Sequence, residues 1–190
     1  MFRRLAAVLG VASIGCGGST APADETPFDY QFADPAGDTA AATANPDSLK
    51  AIDLLNVSGR VDRDRVTVAL DFGEPVVRWT DAAPNSLDGF IDFDPDVTGA
   101  LEVQNGFYLD LRDDGNGNAG LVNVKKRTIT VVKIRFDGAR VEVEIPRSAI
   151  STTTDADNQF QMSVEVGARR RLPVDRSPDT GAHALKPPTP

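Results

Sequence analysis

The chain has few of the residues on which common catalytic and zinc-binding sites depend. It contains one cysteine and one histidine in 190 residues, so an internal disulfide cannot form and no zinc-ligand spacing is present. The histidine, His183, lies in a Pro-rich carboxyl-terminal stretch, where a rigid general base for a Ser-His-Asp triad is not expected. Basic residues are also scarce, 20 against 28 acidic ones, so nucleic acid is not an expected partner.

The acidic residues are mostly of one type. Asp contributes 22 of the 28 and Glu only 6. Asp disfavours helix interiors and is common in turns, where its short carboxylate caps the backbone or binds a hard cation. The composition therefore argues against a helical protein and predicts acidic loops.

Residues 1–15 have the layout of an export signal. Arg3 and Arg4 precede an apolar run, Leu5 to Ile14, which is too short to cross a bilayer as a transmembrane helix. The run ends in small residues directly before Cys16. This segment resembles a bacterial lipoprotein signal, which implies lipidation of Cys16; Ser13 departs from the family pattern, which usually has Leu, Val or Ile there. The alternative is a plain secretory signal cut near this point.

The same resemblance implies an exported protein whose membrane contact is its lipid anchor alone. In Gram-negative lipoproteins an Asp after the lipidated cysteine marks retention at the inner membrane. Gly17 at this position therefore implies an outer-membrane lipoprotein, and a cleaved secretory signal would make the protein extracellular. We expect a flexible tether over residues 16–27, one domain over 28–185 and a disordered tail over 186–190.

Alternation of apolar and polar residues dominates the body of the chain. In Arg65–Phe72 it places Val66, Val68 and Leu70 on one face, as in a half-buried strand. Arg147–Thr153 is expected to be a loop or a single helical turn. The pattern predicts an all-β fold, a single antiparallel β-sandwich of about 8–10 strands. The expected strands are Ile52–Val61, Arg65–Phe72, Val76–Thr80, Leu87–Phe93, Phe107–Arg112, Leu121–Val124, Thr128–Phe136, Arg140–Ile145 and Phe160–Val166.

Four short motifs occur in an order that resembles a group of exported bacterial β-sandwich domains. They are DPAGD at 34–38, AID at 51–53, GFIDFD at 89–94 followed by Thr98-Gly99, and DRSPDTG at 175–181. That group is similar to DOMON-like domains and to family 9 carbohydrate-binding modules. The resemblance implies a jelly-roll or DOMON-like sandwich that binds a ligand, most often a sugar and in some DOMON branches haem, without catalysis.

Two pairs of Asp residues are candidate metal ligands. Asp34 with Asp38, and Asp94 with Asp96, lie in or beside expected loops and offer the hard oxygen ligands that Ca²⁺ prefers. Asp94 and Asp96 do not belong to an EF-hand, because Val97 occupies the position after Asp96 where that loop needs glycine. One interpretation is a structural Ca²⁺; the other is that these carboxylates cap turns and remain solvated.

Three aromatic residues are candidates for a ligand-binding surface. The alternation places Phe90 and Tyr108 on the outer face of the sandwich beside Asp92 and Asp110, and Trp79 ends the preceding strand. Exposed aromatic rings can stack on a sugar, and the carboxylates beside them can accept hydrogen bonds from its hydroxyls. The alternative is that a loop covers Phe90 and Tyr108 as a cross-strand pair and that Trp79 belongs to the core.

Haem is not expected. Met162 and His183 are the axial ligands that the resemblance suggests, but Met162 shares a face with apolar core residues and His183 lies in the end of the chain that we expect to be loose. The sequence therefore predicts an exported, lipid-anchored, non-catalytic binding or accessory module with carbohydrate as the expected ligand. The alternatives are an envelope domain that binds another protein and a small glycosidase using two carboxylates.

Overall fold

The computed structural model describes residues 27–39, 52–80, 83, 85–95, 106–150, 159–168 and 174–186. Residues 1–26 with Cys16, Asp96 and residues 187–190 lie outside these ranges, and so do the expectations that concern them. No helical segment of the described residues is long and apolar enough to cross a membrane. Within the described ranges the elements are β1 (Phe28–Ala33), β2 (Leu54–Val61), β3 (Arg65–Phe72), β4 (Leu87–Asp94), β5 (Phe107–Asp110), β6 (Asn118–Asn123), β7 (Thr128–Asp137), β8 (Arg140–Pro146), α1 (Arg147–Ile150), β9 (Phe160–Ala168), β10 (Val174–Ser177) and β11 (His183–Leu185).

These strands form one continuous antiparallel sheet. The order is β1-β2-β3-β8-β7-β6-β5-β4-β9-β10, and β11 pairs with the same edge of β9 as β10 does. The prediction of an all-β antiparallel fold is confirmed, with eleven strands in the described residues. The expected helical turn is also present, since α1 begins directly after β8.

Two predictions about local structure were wrong. Val76–Thr80 is not a strand; it forms one bridge, Val77 to Ser86, because its other backbone groups bond to loops, as when the Val76 N–H donates to the Gly138 carbonyl. The Pro-rich end of the chain is not loose throughout, since β10 and β11 lie in it. Both strands are too short to show alternation, and they are ordered by pairing with β9.

The core consists of the inward-facing residues of this sheet. In β3 the side chains of Val66, Val68 and Leu70 are fully buried, as the alternation predicts. Met162 is also fully buried, which agrees with its expected role in packing. The largest fully buried side chains are Phe93, Phe160, Leu54, Leu70, Leu87, Ile91, Leu109, Leu111, Leu121, Ile145, Ile150 and Met162.

The sheet curls until its two ends meet. The backbone N–H of Leu54 in β2 donates to Oδ2 of Asp175 in β10 at 2.6 Å. The ring of Phe32 in β1 stacks on that of His183 in β11, with centroids 3.9 Å apart, and Ser177 Oγ lies 2.9 Å from His183 Nε2. We call this junction, formed by Phe32, Leu54, Asp175, Ser177 and His183, the seam. At the seam the contacts are made by side chains, whereas elsewhere in the sheet a ladder of backbone hydrogen bonds joins neighbouring strands.

The antiparallel register defines two ends of the domain. Phe28, where β1 begins, pairs with Val61, so the β2–β3 turn lies at the same end as the chain entry. The β6–β7 turn and the end of β8 also lie there. We call this the entry end. The opposite, or distal, end contains the loop after β1, the start of β2 and the β7–β8 turn.

Tyr30 links three strands across a glycine. It lies opposite Gly59 in the β1–β2 register, and its hydroxyl donates to the Thr67 carbonyl of β3 at 2.7 Å. A Cβ at Gly59 would overlap both the Tyr30 ring and the Thr67 carbonyl oxygen. Burial raises the pKa of Tyr30, so the phenol remains a hydrogen-bond donor. Gly59 is therefore needed for this close packing.

Replacing Gly59 with alanine is expected to lower the free energy of unfolding by about 1–3 kcal/mol, the usual cost of forcing an extra methyl into a packed site. Urea denaturation of Gly59→Ala measures the change. Gly73→Ala is the matched control, because its added Cβ meets only ordinary contacts with Asp53. Equal destabilisation by the two variants would contradict the packing argument.

Candidate cation site

Three carboxylates converge where the loop after β1 meets β10 beside the seam. Asp34 directly follows β1, Asp38 closes the turn after it, and Asp175 lies within β10. One carboxylate oxygen from each lies within 4.8 Å of the other two. Asp175 is far from the other two residues in sequence, and the closing of the sheet brings it to them. We call these three residues the acidic cluster.

Hydrogen bonds position the loop that carries Asp34 and Asp38. The N–H of Asp34 donates to the Leu55 carbonyl at 2.9 Å, which continues the β1–β2 pairing by one residue. Gly37 adopts a φ of 80° and donates its N–H to Asp53 Oδ1 at 2.8 Å, so Asp53 holds the turn that carries Asp38.

Both oxygens of Asp175 accept backbone hydrogen bonds. Leu54 donates to Oδ2, and Arg176 donates to Oδ1 at 2.8 Å. The residue is 2% exposed. The cluster is therefore built on strand ends and a tight turn, which gives its carboxylates fixed positions before any ligand binds.

The acidic cluster is electrostatically strained. Burial raises the pKa of Asp34 to about 6; a hydrogen bond with Ser177 opposes this rise, and the charges of Asp38, Asp179 and Asp53 add to it. Burial likewise raises the pKa of Asp175 to about 6, against the Leu54 hydrogen bond and with a contribution from the charges of Asp34 and Asp38. Close, partly buried carboxylates repel one another and lose hydration, so their charged forms are disfavoured without a cation.

The geometry fits a hard divalent cation. Ca²⁺ binds oxygen ligands at about 2.3–2.6 Å, so opposite ligands lie roughly 5 Å apart, which is the span of this cluster. In addition, Asp34 Oδ2 is buried and has no hydrogen-bond partner among the described residues. A buried, unpartnered carboxylate oxygen is costly unless a ligand satisfies it. The donor set, carboxylate oxygen without sulfur or nitrogen, is typical of Ca²⁺ or Mg²⁺.

The structure brings one of the two predicted metal-binding pairs together. Asp34 and Asp38 lie in the acidic cluster. Asp94 does not: it is buried in β4, where it pairs with Gln161 towards the entry end.

Sequence reasoning missed Asp175 as a member of the acidic cluster. It also missed Asp53 and Asp179, whose charges act on Asp34. The signal for these residues was available, since all three lie in the short motifs that carry the family resemblance. Spacing along the chain could not reveal that those motifs meet.

Phe90 and Tyr108 share the outer face of β4 and β5, as predicted. Phe90 lies opposite Asp110 and Asp92 lies opposite Tyr108, so an aromatic ring faces a carboxylate on each rung. Both rings are half-buried, and Asp92 is only 5% exposed. Arg112 bonds Asp110 at 2.6 Å.

Trp79 lies apart from these strands in the chain order. It belongs to the segment that joins β3 to β4, which is anchored by the bridge between Val77 and Ser86. The side chain is half-buried, and its indole N–H is buried without a hydrogen-bond partner among the described residues. Trp79 is therefore neither a fully exposed ring, as a ligand-binding surface would require, nor a residue of the core.

The two residues considered as haem ligands lie side by side. Met162 and His183 are cross-strand partners in β9 and β11. Met162 is fully buried, and the His183 ring is committed to stacking on Phe32 and to bonding Ser177. Burial lowers the pKa of His183, which favours the neutral imidazole. The packing of both side chains is thus explained by the seam itself.

Comparison with known proteins places no further constraint on this site. No family model, curated protein or solved structure matches the chain.

The acidic cluster predicts an inverted pH dependence of stability in the absence of divalent cations. A carboxyl group whose pKa is higher in the folded than in the unfolded state takes up a proton on folding between those two values, so stability falls as pH rises through that window. For Asp34 and Asp175 the window runs from the ordinary value of 3.8 to about 6. Thermal unfolding with a chelator, measured from pH 4 to 7, checks this.

Asp34→Asn is expected to flatten that pH dependence and to raise the melting temperature at pH 7 without cation. The exposed Asp64 offers the matched control, because its described contact is a backbone one, the Arg147 N–H donating to its carbonyl. If Asp64→Asn changes the profile as much as Asp34→Asn does, the effect belongs to the net charge and not to the cluster.

Proposed function

We propose that this protein is an exported, lipid-anchored and non-catalytic binding module whose seam is clamped by a calcium ion. The observation that carries the proposal is the acidic cluster, in which three carboxylates from two separate segments lie close together at the junction of the sheet. A cation held by Asp34, Asp38 and Asp175 would join the loop after β1 to β10. It would neutralise their repulsion and link the two ends of the sheet.

The same geometry argues against acid–base chemistry at this site. Glycosidases separate their two carboxyl groups by about 5–5.5 Å or 6.5–9.5 Å across an accessible cleft. Here Asp175 is almost fully buried, and both of its oxygens accept backbone N–H groups. An anchored, inaccessible carboxylate suits a structural ligand.

We propose calcium rather than magnesium because calcium tolerates a wider range of ligand arrangements. Mg²⁺ demands near-ideal octahedral geometry and usually keeps several waters, whereas Ca²⁺ accepts 6–8 oxygens in flexible arrangements that include bidentate carboxylates. An exported location also supports this choice, because extracellular modules bind Ca²⁺ with dissociation constants of about 10⁻⁴–10⁻³ M. The export signal and lipidation of Cys16 remain part of the proposal.

Carbohydrate is the ligand class that we propose for the outer face. Phe90 and Tyr108 offer apolar ring surface, and Asp110 offers an acceptor for sugar hydroxyls on the same rigid strands. A sheet holds such groups with little loss of conformational freedom on binding. The proposed module would therefore bind a glycan through β4 and β5 while the cation stabilises the seam.

Calcium is expected to raise the melting temperature at pH 7.5. At a concentration a hundredfold above its dissociation constant, a ligand specific for the folded state stabilises it by about 2.7 kcal/mol, which corresponds to roughly 5–10 °C for a domain of this size. Asp38→Asn should remove most of this shift, and Asp64→Asn should preserve it. No shift with wild-type protein, or the same shift in both variants, would remove calcium from the proposal.

Glycan binding is tested separately by substitution of Tyr108. In a calorimetric or thermal-shift screen of a glycan panel, Tyr108→Ala should weaken binding by about tenfold or more, whereas Tyr108→Phe keeps the ring and should retain most of it. Binding that is unaffected by Tyr108→Ala would move the ligand elsewhere. A panel with no binder would leave calcium clamping as the supported part of the function.

A further inference from the structure

The turn between β6 and β7 differs in charge from the rest of the domain. Lys125, Lys126 and Arg127 follow one another there and are all exposed, in a chain with a net charge of −8. None of the three forms an ion pair with another residue that the structure describes. Asn123 Oδ1 accepts the Lys126 N–H at 2.8 Å, which gives the turn a defined shape. We call these three residues the basic turn.

Two large apolar side chains lie directly beside the basic turn. Ile129 is 70% exposed and Val131 is 67% exposed, on the outer face of β7. Ile129 lies opposite the half-buried Val122 of β6, and Val131 lies opposite Gly120. The row continues from Val122 to Tyr108 on β5. Exposed β-branched side chains next to unpaired cations are an interaction surface that folding alone does not explain.

On one side, this part of β7 also has no paired strand among the residues that the structure describes. The described β7–β8 pairing begins only at Lys133, opposite Glu144. From Lys133 towards the entry end, no pairing between β7 and β8 is described, and an open cleft of about 620 Å³ lies there. Its lining includes Val131–Lys133, Glu144–Pro146 and Pro27. The first four residues of β7, 128–131, are accordingly exposed on both faces of the strand.

The other charges around this cleft largely compensate one another. Asp62 bonds Arg60 at 2.7 Å, and Arg65 lies 3.6 Å from Glu144. Among the described residues around the cleft and the β6–β7 turn, the net positive charge is therefore concentrated on the basic turn. Its complement is an anionic surface that also accepts apolar side chains.

We propose that the basic turn, with Ile129 and Val131, docks on an anionic lipid surface. Each Lys or Arg near an anionic leaflet strengthens partitioning about fivefold, so three together give roughly a hundredfold preference over a neutral bilayer. Ile129 and Val131 add burial of apolar side chains at the headgroup boundary. Charge and apolar insertion together would favour an anionic bilayer over a neutral one more strongly than either would alone.

The path of the chain supports the same orientation. Pro27 lines the cleft beside Val131–Lys133, so the polypeptide enters the domain at the end that carries the basic turn. A lipid on Cys16 would hold this end towards the membrane and would direct the acidic cluster outwards. This orientation rests on the proposed lipid anchor, but the charge and apolar exposure of the hairpin do not.

The test uses the full chain with Cys16→Ser, so that no lipid is attached and a single new cysteine can be labelled. A polarity-sensitive dye on Thr128→Cys reports on the hairpin; the same dye on Asn116→Cys, an exposed turn at the distal end, is the matched control. Vesicles of phosphatidylcholine, with or without phosphatidylglycerol, carry a spin-labelled lipid that quenches the dye on contact.

We expect quenching at position 128 several-fold stronger on the anionic than on the neutral vesicles, and little at position 116. The triple variant Lys125→Gln, Lys126→Gln, Arg127→Gln should abolish the anionic preference, and Ile129→Ser with Val131→Ser should reduce quenching on anionic vesicles. Unchanged circular dichroism verifies folding of each variant. The apolar run at residues 5–14 is common to all variants, so the comparisons isolate the hairpin.

Equal quenching at both labelled positions, or an anionic preference that survives the triple variant, would overturn the proposal. The proposal would also be overturned if a soluble polyanion changed the fluorescence of the label at position 128 while vesicles did not. That result would indicate a protein or polymer partner. Because the experiment involves neither calcium nor glycan, its failure is distinguishable from failure of the proposed function.

Discussion

The two ends of the sheet meet at the seam without a backbone ladder between them, so side chains there must supply what hydrogen-bonded strands supply elsewhere. Asp175 accepts the Leu54 N–H, the Phe32 ring stacks on His183, and Ser177 bonds the same imidazole. Edge strands with unpaired backbone groups are liable to pair with other chains. The seam therefore both closes the core and protects edges that would otherwise be open.

Closing the seam also brings carboxylates together, and these repel one another. Bringing β10 against the start of β2 places Asp175 beside Asp34 and Asp38, and burial raises the pKa of both Asp34 and Asp175. Isolated charges in such a position destabilise a fold, whereas charges bridged by a cation stabilise it. Calcium at this point would turn a repulsive junction into a clamp, and metal binding would then be coupled directly to the stability of the fold.

Charge is distributed unevenly along the domain, because the acidic cluster and the basic turn lie towards different ends. The acidic cluster lies on the distal side of the seam, and the basic turn lies at the entry end with the exposed Ile129 and Val131. Between them the outer face of β4 and β5 carries Phe90 and Tyr108. A domain oriented by its basic turn would present the outer face alongside the membrane and the acidic cluster away from it.

The amino-acid sequence was sufficient to predict the strands that are long enough to show alternation, because a period of two along Arg65–Phe72 reflects burial on one face of any sheet. It also determined the outer position of Phe90 and Tyr108, for the same reason. It could not reveal β10 and β11, which are ordered only by pairing with β9, nor could it exclude the Val76–Thr80 strand, whose backbone groups bond to loops. Asp34 and Asp38 were predicted as a pair because they are close in the chain. The tertiary structure joined them to Asp175, since closure of a sheet brings together residues whose distance in sequence carries no information about their distance in space.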